Sequence, residues 1–318
     1  MSAAPWSRGV CWLLPGVALA LWASGLGGGA WRWPELADPL WLNLRLPRVL
    51  TALLVGAALA ASGAALQALF RNPLADPGLI GVSSGAALGV IALLALGGPP
   101  GLGPPLAAFA GGFLATQLIV LINGAVRGGE VGLLLIGLVV GACCGALTSL
   151  LLFLSDDLTL RGAMAWMAGN LGEAGFASLG AASAVMLAGL ALLLALGRQL
   201  DALLLGEESA RALGVNVTRV RVLTVLGAAL AVGAAVSLSG VIGFVGMMAP
   251  NAVTLLIGGA RRQLMLLSAW VGALFLLLID SAARSVAYPT ELPAGLLAAF
   301  AGPPFFVWLL WRRSRGAR

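Results

Sequence analysis

The chain has no lysine and no histidine, only three cysteines, and just 9% charged residues among 318. Without lysine there is no Gly-rich loop ending in Gly-Lys-Ser/Thr, and with it goes the usual cradle for nucleotide phosphates. Any ATP-driven step therefore needs another subunit to hydrolyse the nucleotide. Without histidine there is no imidazole for a metal, no Ser-His-Asp triad and no standard haem ligand. Cys11 stands alone, and Cys143 and Cys144 are adjacent within an apolar run. Neither arrangement has metal or disulfide spacing, so all three read as small apolar residues.

What fills the chain is hydrophobic: 60% of its residues. Soluble chains carry about 25% charged residues, and this much apolar surface cannot be hidden in a soluble core. The chain reads as an all-α, polytopic membrane protein forming one transmembrane domain over residues 1–318. Its net charge of +6 comes from arginines scattered over loops, with no basic stripe between aromatics, which argues against nucleic acid as a partner.

Spans of about twenty apolar residues are expected to start near Val10, Val49, Leu79, Pro105, Val131, Ser178, Val220, Val241, Leu264 and Ala294. With the N-terminus in the cytoplasm, only Arg32, Arg45, Arg48, Arg161 and Arg284 of the 18 arginines fall outside. The positive-inside rule thus favours two cytoplasmic termini. A signal peptide is the alternative for the first span, with Arg8 before it and Ala23-Ser24-Gly25 at its end. The apolar run continues past the usual signal length and reads as an uncleaved helix.

Two patterns concern packing. Arg48-Val49-Leu50-Thr51 with Gly56-Ala57-Ala58-Leu59-Ala60 is echoed by Arg221-Val222-Leu223-Thr224 with Gly227-Ala228-Ala229-Leu230-Ala231, on helices expected to run in opposite directions. This is either an inverted repeat or chance among Ala, Leu and Gly. Gly137, Gly141 and Gly145 recur every fourth position and are expected to let a neighbouring helix approach closely.

Polar punctuation marks the ends of the second span. It opens at Arg45-Leu46-Pro47-Arg48 and ends in Arg71-Asn72-Pro73-Leu74-Ala75-Asp76-Pro77-Gly78, where proline breaks the helix. Such a break is tolerated in lipid only where the freed backbone groups face protein or a water-filled path. The longest inside loop lies within residues 198–217. There Gly206-Glu207-Glu208-Ser209-Ala210-Arg211-Ala212-Leu213-Gly214 predicts a short helix with acids at its start, Arg211 later and Gly214 closing it.

These segments resemble the permease subunits of type II ATP-binding-cassette importers, the family that carries iron siderophores, haem and vitamin B12. Further segments extend the likeness over nearly all the chain after Arg45. They are Trp166-Met167-Ala168-Gly169, Ser239-Gly240-Val241-Ile242-Gly243-Phe244-Val245-Gly246 with Ala249-Pro250, Glu291-Leu292-Pro293-Ala294-Gly295, and Gly302-Pro303-Pro304-Phe305-Phe306. Two departures stand out. The family usually has Pro-His with an arginine three residues later, where this chain has Pro250-Asn251 and Thr254; its Ser/Thr-rich loop after the fourth helix is here Gly128-Gly129-Glu130.

The resemblance implies a homodimer in the inner membrane with its pathway at the subunit interface, two ATPase subunits below and a substrate-binding protein outside. ATP and Mg are held by the ATPase, and this chain carries no cofactor. Gly206, Glu207, Glu208, Ala210, Arg211, Leu213 and Gly214 match the coupling helix, with Glu207, Glu208, Ala210 and Arg211 touching the ATPase. Asn72, Leu74, Gly129 and Glu130 match the constriction on the cytoplasmic side. Arg45, Arg48 and Arg284 match positions that receive acidic residues of the binding protein; the alternative for them is interfacial anchoring. Cargo would be a metal chelate, with a corrinoid preferred over haem or a siderophore. Two rival classes are weak. A secondary transporter has only Asp280 as an intramembrane charge, and a magnesium-dependent intramembrane enzyme has only Asp156-Asp157, without a second acidic cluster.

Overall fold

A computed structural model describes residues 5–27, 30–31, 38–99, 101, 103–172 and 175–316. Arg32 lies outside the described residues, and Arg8 and Cys11 are described by their backbone alone. The helices are α1 (Pro5–Gly25), α2 (Leu46–Leu69), α3 (Val82–Ala95), α4 (Gly103–Val126), α5 (Gly129–Leu154), α6 (Asp157–Met167) and α7 (Phe176–Ala195). They continue with α8 (Gly197–Leu204), α9 (Glu207–Ala212), α10 (Val217–Ser239), α11 (Val245–Leu256), α12 (Arg261–Ser285) and α13 (Ala294–Gly316). Among the described residues the one extended pairing is antiparallel, Leu26 opposite Trp31 and Gly27 opposite Ala30.

Every expected span has its helix. The additional ones are short: α6, α8 and α9, of which only α9 is legible in the loop sequence. Six helical stretches are long and apolar enough to cross a bilayer: Trp41–Leu69, α4, α5, α7, α10 and α12. At 14 and 12 residues α3 and α11 are half-helices, too short to span alone.

Burial sorts the long helices into a centre and a ring. Windows in α2 and α10 are 78% buried, against 28% in α4 and α5 and 22% in α7. A helix apolar on every side belongs in the middle of a bundle, and the Ala- and Gly-rich sequences of α2 and α10 also let neighbours come close. A Cβ on Gly272 of α12 would lie 2.5 Å from the Gly56 carbonyl oxygen, and one on Gly189 of α7 would lie 2.6 Å from that of Gly227. The two glycines of the repeated segment are thus both helix-crossing points. The expected stripe on α5 holds only in part. Gly137 abuts the Leu79 carbonyl, Gly141 makes ordinary contact with Ser84, and Gly145 faces open space.

α2 and α10 are antiparallel. The start of α2, at Arg48, and the end of α10, at Ser239, both meet the loop after α6: Gly172 lies against the Arg48 guanidinium, and the Asn170 N–H donates to the Ser239 carbonyl at 2.8 Å. Each central helix is followed by a break and then a half-helix, α3 or α11. The breaks touch inside the bundle, where a Cβ on Gly246 would lie 2.6 Å from Pro77 Cδ and 3.1 Å from the Leu59 carbonyl oxygen. Opposed central helices, each with its broken partner, form the arrangement of an inverted repeat.

Candidate functional site

Three regions carry the polar chemistry: the α9 end of the bundle, the break after α2, and the opposite end around Arg48.

At the α9 end, Gly206 and Gly214 take φ values of 103° and 80°, where a side chain would be strained. They bound a helix whose first turn holds Glu207 and Glu208 and whose last holds Arg211, complementing the helix dipole. Glu207 is turned inward. It accepts from Arg211 at 2.7 Å and from Nη2 of Arg221 on α10. Asp201 of α8 accepts from the Arg261 N–H at 2.9 Å, pinning α8 to the start of α12. The exposed side chains here are Glu208, Arg211 and Leu213 together with Leu204 and Leu205. Ala210 is fully buried. It is the residue by which α9 rests on the bundle, facing inward as the polar residues on either side face out. Leu204 and Leu205 were not anticipated, although the run Leu203-Leu204-Leu205 before a glycine is their signal.

The break after α2 is built from local turns. Arg71 stands at φ 47°, the Asn72 N–H donates to the Gln67 carbonyl at 3.1 Å, and Asn72 Oδ1 accepts from the Leu74 N–H at 2.9 Å. Asp76 Oδ1 caps the next short helix through the Gly78 N–H, also at 2.9 Å. The freed carbonyls face protein rather than water. Asn251 Nδ2 donates to the Pro73 carbonyl at 2.7 Å and to that of Met247 at 2.8 Å, and Gln67 Nε2 points to the Ala75 and Met247 carbonyls. Buried polar groups need such partners. Asn251, the departure from the expected histidine, is what fastens α11 to the break.

Asn72 is half-buried and Leu74 is exposed beside it. Glu130 does not point freely away; its carboxylate meets Nη2 of Arg71 at 2.9 Å. That hydrogen bond, followed by the Glu130 charge and a further contribution from Glu207, raises the Arg71 pKa above its ordinary value. The structure thus brings together Asn72, Leu74, Gly129 and Glu130 and places them near α9.

Around Arg48 the expected surface arginines turn inward. Arg48 Nε donates to Asp280 Oδ1 at 2.9 Å and its Nη1 to Glu291 at 2.7 Å. Arg284 Nε lies 3.1 Å from Asp280 Oδ2, while its Nη1 and Nη2 donate to the carbonyls of Leu26 and Ala23. Asp280 is fully buried and is shared by both arginines, with Glu291 as the second negative charge of the cluster. Arg48 and Arg284 are thus tied inward to Asp280 and are largely buried. Arg45 is half-exposed and donates to the Gly25 carbonyl at 3.2 Å. Asp280, as a paired ion, no longer supports a secondary transporter. Asp156 caps α6 by accepting from the Thr159 N–H at 3.0 Å, a structural task that accounts for half of the acidic pair.

Next to this cluster, segments remote in sequence converge. The Gly295 N–H donates to the Gly169 carbonyl at 3.1 Å, and Gly240 packs on the Trp166 carbonyl. They border a cavity of about 610 Å³ lined by Trp166, Asn170, Ser178, Ser237 and Ser239.

Residues 17–312 match the model of the FecCD transport family. The chain belongs to that family. It is 42% identical over 298 residues to the hemin transport system permease protein HmuU of Yersinia pestis, covering 92% of this chain and 87% of the relative. It is also 42% identical over 284 residues to the cobalamin import system permease protein BtuC of Halobacterium salinarum, covering 88% and 76%. A solved structure described as an inward-facing conformation of a putative metal-chelate type ABC transporter superposes with a TM-score of 0.88 at 34% identity, over 95% of this chain and 98% of that one. As a FecCD permease the chain is a multi-pass transport subunit and not itself an enzyme.

Proposed function

We propose that this FecCD permease works as a homodimer in the inner membrane, importing a large metal chelate under the control of two ATPase subunits, with a binding protein delivering cargo from outside. The α9 end lies in the cytoplasm with both termini, and the Arg48 end faces out. The observation that carries this reading is the exposed surface of α8 and α9. Leu204, Leu205 and Leu213 are 41%, 67% and 65% exposed beside Glu208 and Arg211, an apolar and charged mixture suited to an ATPase cleft. Ala142, Cys143, Gly145 and Ala146 on exposed turns of α5 are small enough to admit a second copy, which supports the dimer.

Cargo is a chelate of haem or corrinoid size. The relatives named for hemin and for cobalamin are equally identical to this chain, so the corrinoid has no advantage over haem. A permease without histidine passes such a chelate along a wide, weakly binding path rather than ligating its metal. Proteoliposomes holding the permease, its ATPase and the binding protein test the reading. ATP-dependent uptake of cyanocobalamin or of hemin is expected, and the preferred one assigns the cargo. Uptake driven by an ion gradient without the ATPase would refute it.

A further inference from the structure

The ends of α4, α5, α9 and α10 enclose a second cavity, of about 410 Å³. Its wall carries the guanidinium groups of Arg127, Arg211 and Arg221 against one carboxylate, Glu207. Glu207 is already shared between Arg211 and Arg221. Arg127 has no ion pair among the described residues, and Nε of Arg221 is buried without an acceptor. Positive charge is therefore in excess, and part of its hydrogen-bonding capacity is unused. Asn123 Nδ2 donates to the Gly129 carbonyl at 3.2 Å, while its Oδ1 is packed against Gly128 and Gly132. The remaining wall is apolar, with Val120, Leu133, Val222 and Val225. Val222 is 40% exposed, so the cavity opens to the outside of the bundle along α10.

We propose that this cavity binds the phosphate headgroup of an anionic phospholipid of the cytoplasmic leaflet. Arg127 and Arg221 hold the phosphate oxygens, for which the planar guanidinium fork is suited. An acyl chain runs up along Val222. Basic pockets between helices at the cytoplasmic surface recognise lipid headgroups in this way. The inference rests on the cytoplasmic placement of the α9 end, not on the cargo.

The test uses the complete permease and ATPase complex in detergent, offered equal amounts of phosphatidylglycerol and phosphatidylcholine, with retained lipid counted by native mass spectrometry. Phosphatidylglycerol is expected to be retained in preference. Arg127→Gln should lower that retention about fivefold, the weight of one basic residue near a membrane surface. Arg127→Lys should keep most of it, and Arg219→Gln, which removes an arginine outside the cavity, should leave it unchanged. Equal retention in wild type and Arg127→Gln, or the same loss in Arg219→Gln, overturns the proposal. Displacement of the lipid by inorganic phosphate overturns the lipid assignment in favour of a soluble phosphate ligand. Retention is read without transport, so failure here is separable from failure of the importer reading.

Discussion

Arg71 Nη2 and Glu130 Oε2 lie 2.9 Å apart, joining the break after α2 to the first turn of α5 across 59 residues of sequence. Neither segment is relaxed. Arg71 has φ 47° and Arg127, three residues before Glu130, has φ 53°, left-handed values that cost a non-glycine residue roughly 1 to 2 kcal/mol each. Two strained turns are thus linked by one ion pair. Glu207 of α9 is close enough to add to the field at Arg71.

Charge reversal tests this link. The Arg71 side chain is 43% exposed, so solvent screens the pair and its worth is at most about 1 kcal/mol. Arg71→Glu is therefore expected to raise substrate leak through the resting complex by no more than about fivefold. Arg71→Glu with Glu130→Arg should return it towards wild type. Leak is measured as uptake into proteoliposomes without ATP. A double variant as leaky as the single one would mean that the pair does not hold the path closed.

Asn251 offers a test of the break itself. Removing its amide in Asn251→Ala leaves the Pro73 carbonyl, now met at 2.7 Å, without this donor in a buried site. Such a loss costs about 1 to 3 kcal/mol. A fall of a few degrees in the thermal midpoint of the detergent-solubilised permease is expected. Asn251→Asp should do no better, because a carboxylate cannot donate. Asn251→His keeps a donor and should lose less. Equal midpoints for wild type and Asn251→Ala would show that Asn251 does not support the break.

Much of the fold is legible in the sequence because hydrophobic run length is a local property. All ten apolar runs fall on helices, although the sequence does not show that α3 and α11 stop at half length. The α9 helix between Gly206 and Gly214 can be read because its caps and charges lie within nine residues. Partners distant in sequence cannot. Arg48 meets Asp280 across 232 residues and Asn251 meets Pro73 across 178, and nothing in either segment announces the other. The arginines near Leu46 and Ser285 look alike as interfacial charges, yet burial of Asp280 draws Arg48 and Arg284 inside and leaves Arg45 half-exposed. Spacing alone likewise cannot tell Gly137, packed on a carbonyl, from Gly145, which faces open space.

The α8–α9 surface predicts a division of labour. Leu213→Asp places a charge on an exposed apolar contact and should weaken ATPase association without lowering permease stability. Loss of one leucine contact of this kind is worth about 1.5 to 3 kcal/mol if it is fully buried by the partner. Arg211→Glu removes the ion pair to Glu207 at 2.7 Å and should uncouple ATP hydrolysis from uptake. Co-purification reports the first effect and the ratio of uptake to ATP turnover the second. Normal co-purification of Leu213→Asp, or normal coupling in Arg211→Glu, would remove α9 from the transmission path.

At the Arg48 end, arginines of similar appearance should separate into two behaviours. Arg48→Ala leaves the fully buried Asp280 with Arg284 as its sole partner and removes the 2.7 Å contact to Glu291. Asp280 keeps Arg284 as its counter-charge, so the cost is that of the lost hydrogen bonds, about 1 to 3 kcal/mol. Arg48→Ala should therefore destabilise the permease, and Asp280→Asn should cost more, because it leaves buried Arg48 and Arg284 without their shared carboxylate. Arg45 is different. It is half-exposed, and its one recorded hydrogen bond is to the Gly25 carbonyl. Arg45→Glu should leave the thermal midpoint nearly unchanged and slow association with an acidic binding protein, and high salt should reduce the difference from wild type. Measuring both the thermal midpoint and the association rate for each variant distinguishes the roles. A binding-protein defect in a fully stable Arg48→Ala permease would return Arg48 to the docking surface, and an unchanged association rate in Arg45→Glu would leave Arg45 only its structural hydrogen bond.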